Sequence, residues 1–217
     1  MYKNAIVEVN FLIENIVYYM YKQYIKSIFD IIISLVVLPL VILCLIIFSP
    51  FIYFYDKGPI FYNAKRIGLN GKPFKMFKFR TMIVNAPDIR LPDGSTYNAE
   101  DDTRVTKIGK FLRKTSIDEL PQIFNVLKGE MSLIGPRPDP VDWLQKYSVE
   151  EKIFLTVKPG ITGYNQAYFR NSADATTKII NDIFYAENIS FILDLKIFLK
   201  TLQTVFSRQN IHINYIK

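Results

Sequence analysis

A chain of 217 residues with one cysteine and one histidine cannot perform several common kinds of chemistry. Cys44 has no partner for a disulfide and no companions for a cysteine-based zinc site, which fits a reducing setting. His212 stands alone near the C-terminus, so a zinc site or a Ser-His-Asp triad would lack parts, and it reads as a surface histidine. Neither a complete G-x-G-x-x-G nor a Walker A motif occurs, and Gly68-Leu-Asn-Gly-Lys-Pro73 reads as a turn. Charge is missing from Ile31 through Tyr55. That run is longer than the roughly 20 apolar residues that cross a bilayer as a helix. Glu8 and Glu14 interrupt the earlier apolar stretch and no small-residue cleavage pattern follows, so the start does not read as a signal peptide.

Half of the residues are hydrophobic, enough for one compact domain plus a membrane element. The net charge of +7 calls for a polyanionic partner: anionic lipid, a nucleotide phosphate or nucleic acid. Within the apolar run, Pro39 and Pro50 each remove a helical hydrogen bond, so a bend is expected. Lys22 and Lys26 precede the run and Lys57, Lys65 and Arg66 follow it, so the positive-inside rule chooses no spanning direction. A re-entrant hairpin leaves both flanks on one side. Pro39 lies on the order of 12 Å into the run, deep enough to turn back near mid-bilayer.

Apolar and aromatic positions over residues 2–25 are spaced as a helix leading into the membrane. Beyond Gly58-Pro59, Phe74-Lys-Met-Phe-Lys-Phe-Arg-Thr-Met82 alternates as a strand or short hairpin does. Lys75 or Lys78 then faces away from the aromatics, either into solvent or into a site, and Arg80 is the better candidate for a phosphate. Residues 84–103 read as a loop around the Leu91-Pro-Asp-Gly94 turn signal. Helical spacing runs from Lys107 to Lys128 with a break near Thr115, and Lys146–Val157 is a further short helix. Phe191–Phe206 is an amphipathic helix with Leu195, Phe198, Leu199, Leu202 and Phe206 on one face, which packs either on the core or in a membrane interface.

The most informative stretch is Lys114–Pro138. Pro121 is tolerated only in a first helical turn, which places the N-cap near Ser116 or Asp118 and sets Asp118 and Glu119 at the positive end of a helix. Ser116-x-x-Glu119 also fits a capping box, which would make the pair structural. Against that stand Arg113 before the pair, Gly135-Pro-Arg-Pro138 after it, and Lys158-Pro-Gly-Ile-Thr-Gly163 with Arg170 beyond. Guanidinium forks suit phosphate oxygens, so the constellation points to phosphate chemistry.

With these residues in view, the chain resembles the monotopic phosphoglycosyl transferases, bacterial sugar transferases that pass a sugar phosphate from a nucleotide sugar to polyprenyl phosphate. The resemblance runs from Lys26-Ser-Ile-Phe-Asp30 through Lys78-Phe-Arg-Thr-Met82, Asp102–Gln122, Gly135-Pro-Arg-Pro138 and Lys158–Gly163 to Asp194-Leu-Lys196. It implies an α+β, mainly α fold: an N-terminal helix and a re-entrant membrane helix hairpin within residues 1–57, and a small cytoplasmic catalytic domain over 58–217 with a short β-hairpin and amphipathic interfacial helices. It implies a ping-pong transfer in which Asp118 is the nucleophile and Glu119 its partner beside Mg2+, both carboxylates near the metal. Arg113, Arg137 and Arg170 match phosphate-side arginines, and Lys78 and Arg80 match a basic motif by the site. The implied partners are a UDP-sugar, polyprenyl (undecaprenyl) phosphate and membrane lipids, with no nucleic acid. The implied location is the cytoplasmic face of a bacterial inner membrane, at the first membrane step of glycoconjugate assembly. Ile42-Leu43 stand where the family's usual Ser-Pro break falls, so Pro39 or Ser49-Pro50 is expected to make the turn. The four-helix membrane region of longer members is lacking, so the short, monotopic form is expected.

Two other readings stay open. One keeps the substrates but makes Asp118 a base in a direct displacement. The other is a non-catalytic basic protein that binds a membrane surface.

Overall fold

A computed structural model describes residues 12, 13, 15–90, 97, 99, 101–169 and 173–207 of the chain. A continuous helix covers Asn15–Asp56. A π-helical turn at Tyr21–Ile25 leads into α1, Lys26–Asp56. Pro39 and Pro50 lie inside α1. The apolar segment stays helical through both prolines, with no stretch of non-helical chain at Pro39.

Much of α1 is exposed, with Val36, Ile46 and Phe54 each at least two-thirds exposed, while Ser34, Val41 and Cys44 form a buried face. Near the N-terminal end, Lys26 pairs with Asp194 at 2.5 Å, and Asp30 accepts the Leu133 N–H at 3.0 Å. At the other end, Arg80 binds Asp56 at 2.7 Å and the Ile52 carbonyl at 3.0 Å. Both ends are thus held by the same globular body.

That body opens with an antiparallel hairpin, β1 (Ala64–Ile67) and β2 (Pro73–Met76), whose connection contains a 3-10 turn at Leu69–Gly71. The strand ends at Met76, earlier than the alternation suggested; beyond it the chain stays extended, bridging Phe61 to Phe79 and Met82 to Val105. Next come α2 (Lys107–Thr115), a 3-10 helix at Ile117–Gln122 and α3 (Ile123–Leu127). A parallel pair, β3 (Ser132–Ile134) with β4 (Gly160–Thr162), encloses two 3-10 turns, Val141–Gln145 and Glu151–Thr156. The second replaces the longer helix expected over Lys146–Val157. Three helices finish the described chain: α4 (Tyr164–Tyr168), α5 (Ala175–Glu187) and α6 (Phe191–Ser207). The fold is predominantly helical, as expected.

One apolar cluster, around Tyr185, Ile189 and Ile197, joins α5 and α6 to the β3–β4 region, and another sets Phe79 and Leu112 against Ile52 of α1. Helix α6 packs through Asp194 and Ile197, while Leu195, Phe198, Leu199 and Leu202 are all exposed. Of the two fates for that apolar face, packing on the core is ruled out.

Candidate active site

The geometry around Asp118 follows from how α2 lies against the extended segment after β2. Thr106 caps α2 by accepting the Gly109 N–H at 2.9 Å. Gly109 has room only for hydrogen, because a Cβ there would fall 2.0 Å from the Thr81 carbonyl oxygen. This close approach lets Arg113 Nε reach the Thr81 hydroxyl at 2.9 Å. The Phe79 N–H donates to the Asp118 carbonyl at 3.0 Å. From the other side Asn125 accepts the Phe77 N–H at 2.8 Å and donates to the Lys75 carbonyl at 2.7 Å. Clamped at both ends, the segment carries Lys78 across Asp118.

Helix α2 ends at Ser116 in the left-handed conformation, φ 58° and ψ 14°. The Ser116 side chain caps nothing, its N–H donates to the Arg113 carbonyl at 3.2 Å, and the Glu119 N–H donates to the Ser116 main-chain carbonyl at 3.2 Å. No capping box forms. Asp118 and Glu119 do lie in the first turn of the following helix, as expected, but that helix is a short 3-10 segment. Their carboxylates face cations instead of the backbone. Lys78 Nζ lies 2.7 Å from Asp118 Oδ2 and 3.2 Å from Glu119 Oε1, and Arg137 Nη2 donates to Glu119 Oε1 at 2.7 Å.

Arg137 arrives from the end of β3. A Cβ on Gly160 would fall 2.1 Å from the Gly135 nitrogen, so only glycine lets the two backbones meet. Gly135 N–H then donates to the Thr162 carbonyl at 2.8 Å and Gly160 N–H to the Pro136 carbonyl at 2.9 Å, fixing the turn that aims Arg137.

Two adjacent carboxylates in this setting behave differently. Asp118 is 2% exposed. Burial pushes its pKa above the ordinary value, Lys78 opposes that, and the charge on Glu119 adds to the rise. For Glu119, burial acts in the same upward direction, but Arg137 and then Lys78 outweigh it and hold the carboxyl well below the usual range. The two neighbours are thus pushed in opposite directions, Glu119 toward the ionised form and Asp118 toward greater basicity.

Asp118, Glu119, Lys78, Arg113 and Arg137 line one open cavity of about 1670 Å³. Phe29, Ile33 and Val37 of α1 and Phe198 of α6 form an apolar wall of that cavity, while Asp139, Gln166 and Lys178 contribute polar groups. Arg80 is not engaged with the carboxylate pair: Nη1 binds Asp56, Nε the Pro59 carbonyl at 2.6 Å and Nη2 the Ile52 carbonyl. It fastens the end of α1 while lining the same cavity. Arg170 lies outside the described residues. Asn125 escaped the sequence reading, although a polar residue inside the apolar run Ile123–Leu127 was a usable signal, since it is wholly buried. Arg66, another lining residue, was counted only as a membrane-flanking charge.

Residues 21–208 match the family model described as bacterial sugar transferase. An uncharacterized sugar transferase of Haemophilus influenzae is 44% identical over 183 residues, covering 76% of this chain and 39% of the relative. An undecaprenyl-phosphate galactose phosphotransferase of Salmonella typhimurium is 38% identical over 204 residues, covering 86% and 41%. A UDP-N-acetylgalactosamine-undecaprenyl-phosphate N-acetylgalactosaminephosphotransferase of Aeromonas hydrophila is 35% identical over 190 residues, covering 85% and 44%. The chain spans less than half the length of each of these three relatives. With most of its length matched and the motif residues gathered around one cavity, the chain belongs to the bacterial sugar transferase family.

Proposed function

We propose that the protein transfers a sugar 1-phosphate from a UDP-sugar to polyprenyl phosphate, releasing UMP, through a covalent intermediate on Asp118. The observation that carries this reading is the buried Asp118 carboxylate, which caps no helix and is paired at 2.7 Å with Lys78 in the wall of a cavity large enough for two substrates. Asp118 attacks the sugar-bearing phosphorus, the bond to the nucleotide phosphate breaks, and UMP carries away the electron pair. The polyprenyl phosphate oxygen then attacks the same phosphorus and Asp118 leaves as a carboxylate. Lys78 and Arg113 stand on the Asp118 side and Arg137 on the Glu119 side, so that charge on the transferring group is met by fixed cations.

The carboxylate pair suits a magnesium ion completed by substrate phosphate and water. Oxygens of both acids already converge on one cation, the Lys78 ammonium. Asp118 and Glu119 would hold the ion, and it would neutralise phosphate charge. Among the described residues no cluster of three or more acids, histidines or cysteines exists, so a cage made of protein ligands alone is not the arrangement.

The membrane reading rests on α1 and α6. An apolar side chain left in water forgoes about 1.5–3 kcal/mol of burial, and both helices bare many such groups. Because both ends of α1 are fastened to the catalytic body, immersion of its apolar middle with both flanks on the cytoplasmic side fits better than a span separating them. The interfacial face of α6 and the net charge of +7 favour an anionic lipid surface.

The test is the first half-reaction. Purified protein given Mg2+ and a panel of UDP-sugars without polyprenyl phosphate should release up to one equivalent of UMP. Mass spectrometry should then find a sugar phosphate on the peptide containing Asp118, lost on addition of polyprenyl phosphate. A sugar that supports full turnover yet gives neither burst nor adduct would overturn the covalent reading in favour of direct displacement. No turnover with any donor would overturn the assignment.

A further inference from the structure

Most cations around the cavity have partners. Lys78 and Arg137 hold the carboxylate pair, Lys178 pairs with Asp139, and Arg80 pairs with Asp56. Arg66 has no side-chain hydrogen bond or ion pair among the described residues. It sits on β1 opposite Phe74, its side chain lines the same cavity, and its Nε is buried without a partner. Asp139 is close enough to act on its charge, yet that carboxylate already accepts the Tyr147 hydroxyl at 2.6 Å besides pairing with Lys178. The largest charge influence on it is repulsive and outranks the favourable ones of Tyr62 and Asp139. Burial, and after it the like charge of Arg137, lower the pKa of Arg66. A guanidinium stays protonated in proteins, so two cations sharing one cavity wall form a site short of an anion.

We propose that Arg66 binds the nucleotide phosphate of the donor, the one that departs as UMP, and neutralises the charge it gains. This rests on the reading of the reaction given above. When Asp118 bonds to the sugar-bearing phosphorus, the bridging oxygen leaves with the electron pair and the departing group becomes a phosphate monoester; no proton has to move. The position of Arg66 favours this phosphate over that of the acceptor lipid. Strand β1 packs against β2 and the Val141–Gln145 turn and bridges to Pro140, whereas the apolar helix α1 packs mainly against α3 and β3. A lipid phosphate entering along the apolar wall reaches the carboxylate pair from the side of α1.

Three measurements on the full chain, comparing wild type with Arg66→Gln and Arg66→Lys, test the assignment. UMP binding, titrated directly, should weaken at least tenfold in Arg66→Gln and by an intermediate factor in Arg66→Lys, which keeps the charge but loses the fork. The UMP burst should slow by a similar factor. Discharge of the preformed sugar-phosphate adduct to polyprenyl phosphate should proceed at the wild-type rate. Unchanged UMP affinity in a folded variant would overturn the proposal, and so would a defect confined to the discharge step, which would give Arg66 to the acceptor phosphate. If Arg66→Gln fails to fold, Arg66→Lys alone decides by the same criteria. The UMP titration needs no turnover, so it stands apart from the covalent reading: wild-type protein that binds UMP through Arg66 but forms no adduct would sink that reading and leave this site in place.

Discussion

Replacing Lys78 with methionine keeps most of the side-chain volume and removes the one cation among the described residues that pairs with both carboxylates. With an effective dielectric constant of about 20, unit charges 2.7 Å apart attract by about 6 kcal/mol. That is an upper bound, since water can enter the truncated space and Arg113 continues to act on Asp118. A quarter of it is still about 1.5 kcal/mol, a factor of somewhat more than ten in a protonation equilibrium. The sign is fixed by burial. Asp118 already has a raised pKa, and losing Lys78 raises it further, so the nucleophile becomes protonated at a higher pH. The first half-reaction is therefore expected to lose activity as pH falls through the raised pKa, with the acid limb of Lys78→Met displaced toward higher pH. On the acid limb the burst rate at a given pH should fall about tenfold and recover as pH is raised. Lys78→Arg should keep the limb close to wild type. The measurement is the UMP burst rate across a pH series, with a thermal melt to check folding. An acid limb in Lys78→Met that coincides with wild type, at an undiminished rate, would refute the claim that Lys78 keeps Asp118 ionised.

Glu119→Gln should reduce turnover severely and flatten its dependence on magnesium concentration, read from a metal titration; an unaltered titration would remove Glu119 from the metal. Arg137→Lys should cost more than charge conservation suggests, on the order of tenfold in kcat/KM, because an ammonium cannot reproduce the guanidinium geometry that meets Glu119 at 2.7 Å. Asp194→Ala strips partners from Lys26, Tyr21 and Tyr185 together, and leaving a buried cation unpaired costs about 3–5 kcal/mol; chemical denaturation in detergent should show the loss. With Cys44 replaced by serine, single cysteines at Gln23 and Lys57 should both be shielded from an impermeant reagent in intact spheroplasts and both react in inverted vesicles. Labelling of just one of them in spheroplasts would mean that α1 spans the bilayer.

The sequence by itself determined a good deal. An uncharged run of that length has no stable place in water, so α1 was legible, as were the hairpin turn at Gly68–Pro73 and the break after Thr115 that isolates Asp118 and Glu119. These are local outcomes, written in hydrophobic pattern and in residues that tolerate unusual backbone angles. The partners of each charge were not legible. Lys78 and Arg80 stand two apart on one extended segment and share a face by pattern, yet one meets Asp118 and the other Asp56. Which anion each meets is decided by α2 on one side and the end of α1 on the other, elements distant in sequence. Ser116-x-x-Glu119 likewise matched a capping box until the left-handed turn at Ser116 and the approach of Arg137 gave the Glu119 carboxylate a stronger partner. Tertiary structure alone decided that the apolar face of α6 stays bare, because Asp194 and Ile197, on a different face, already fill the space against the core.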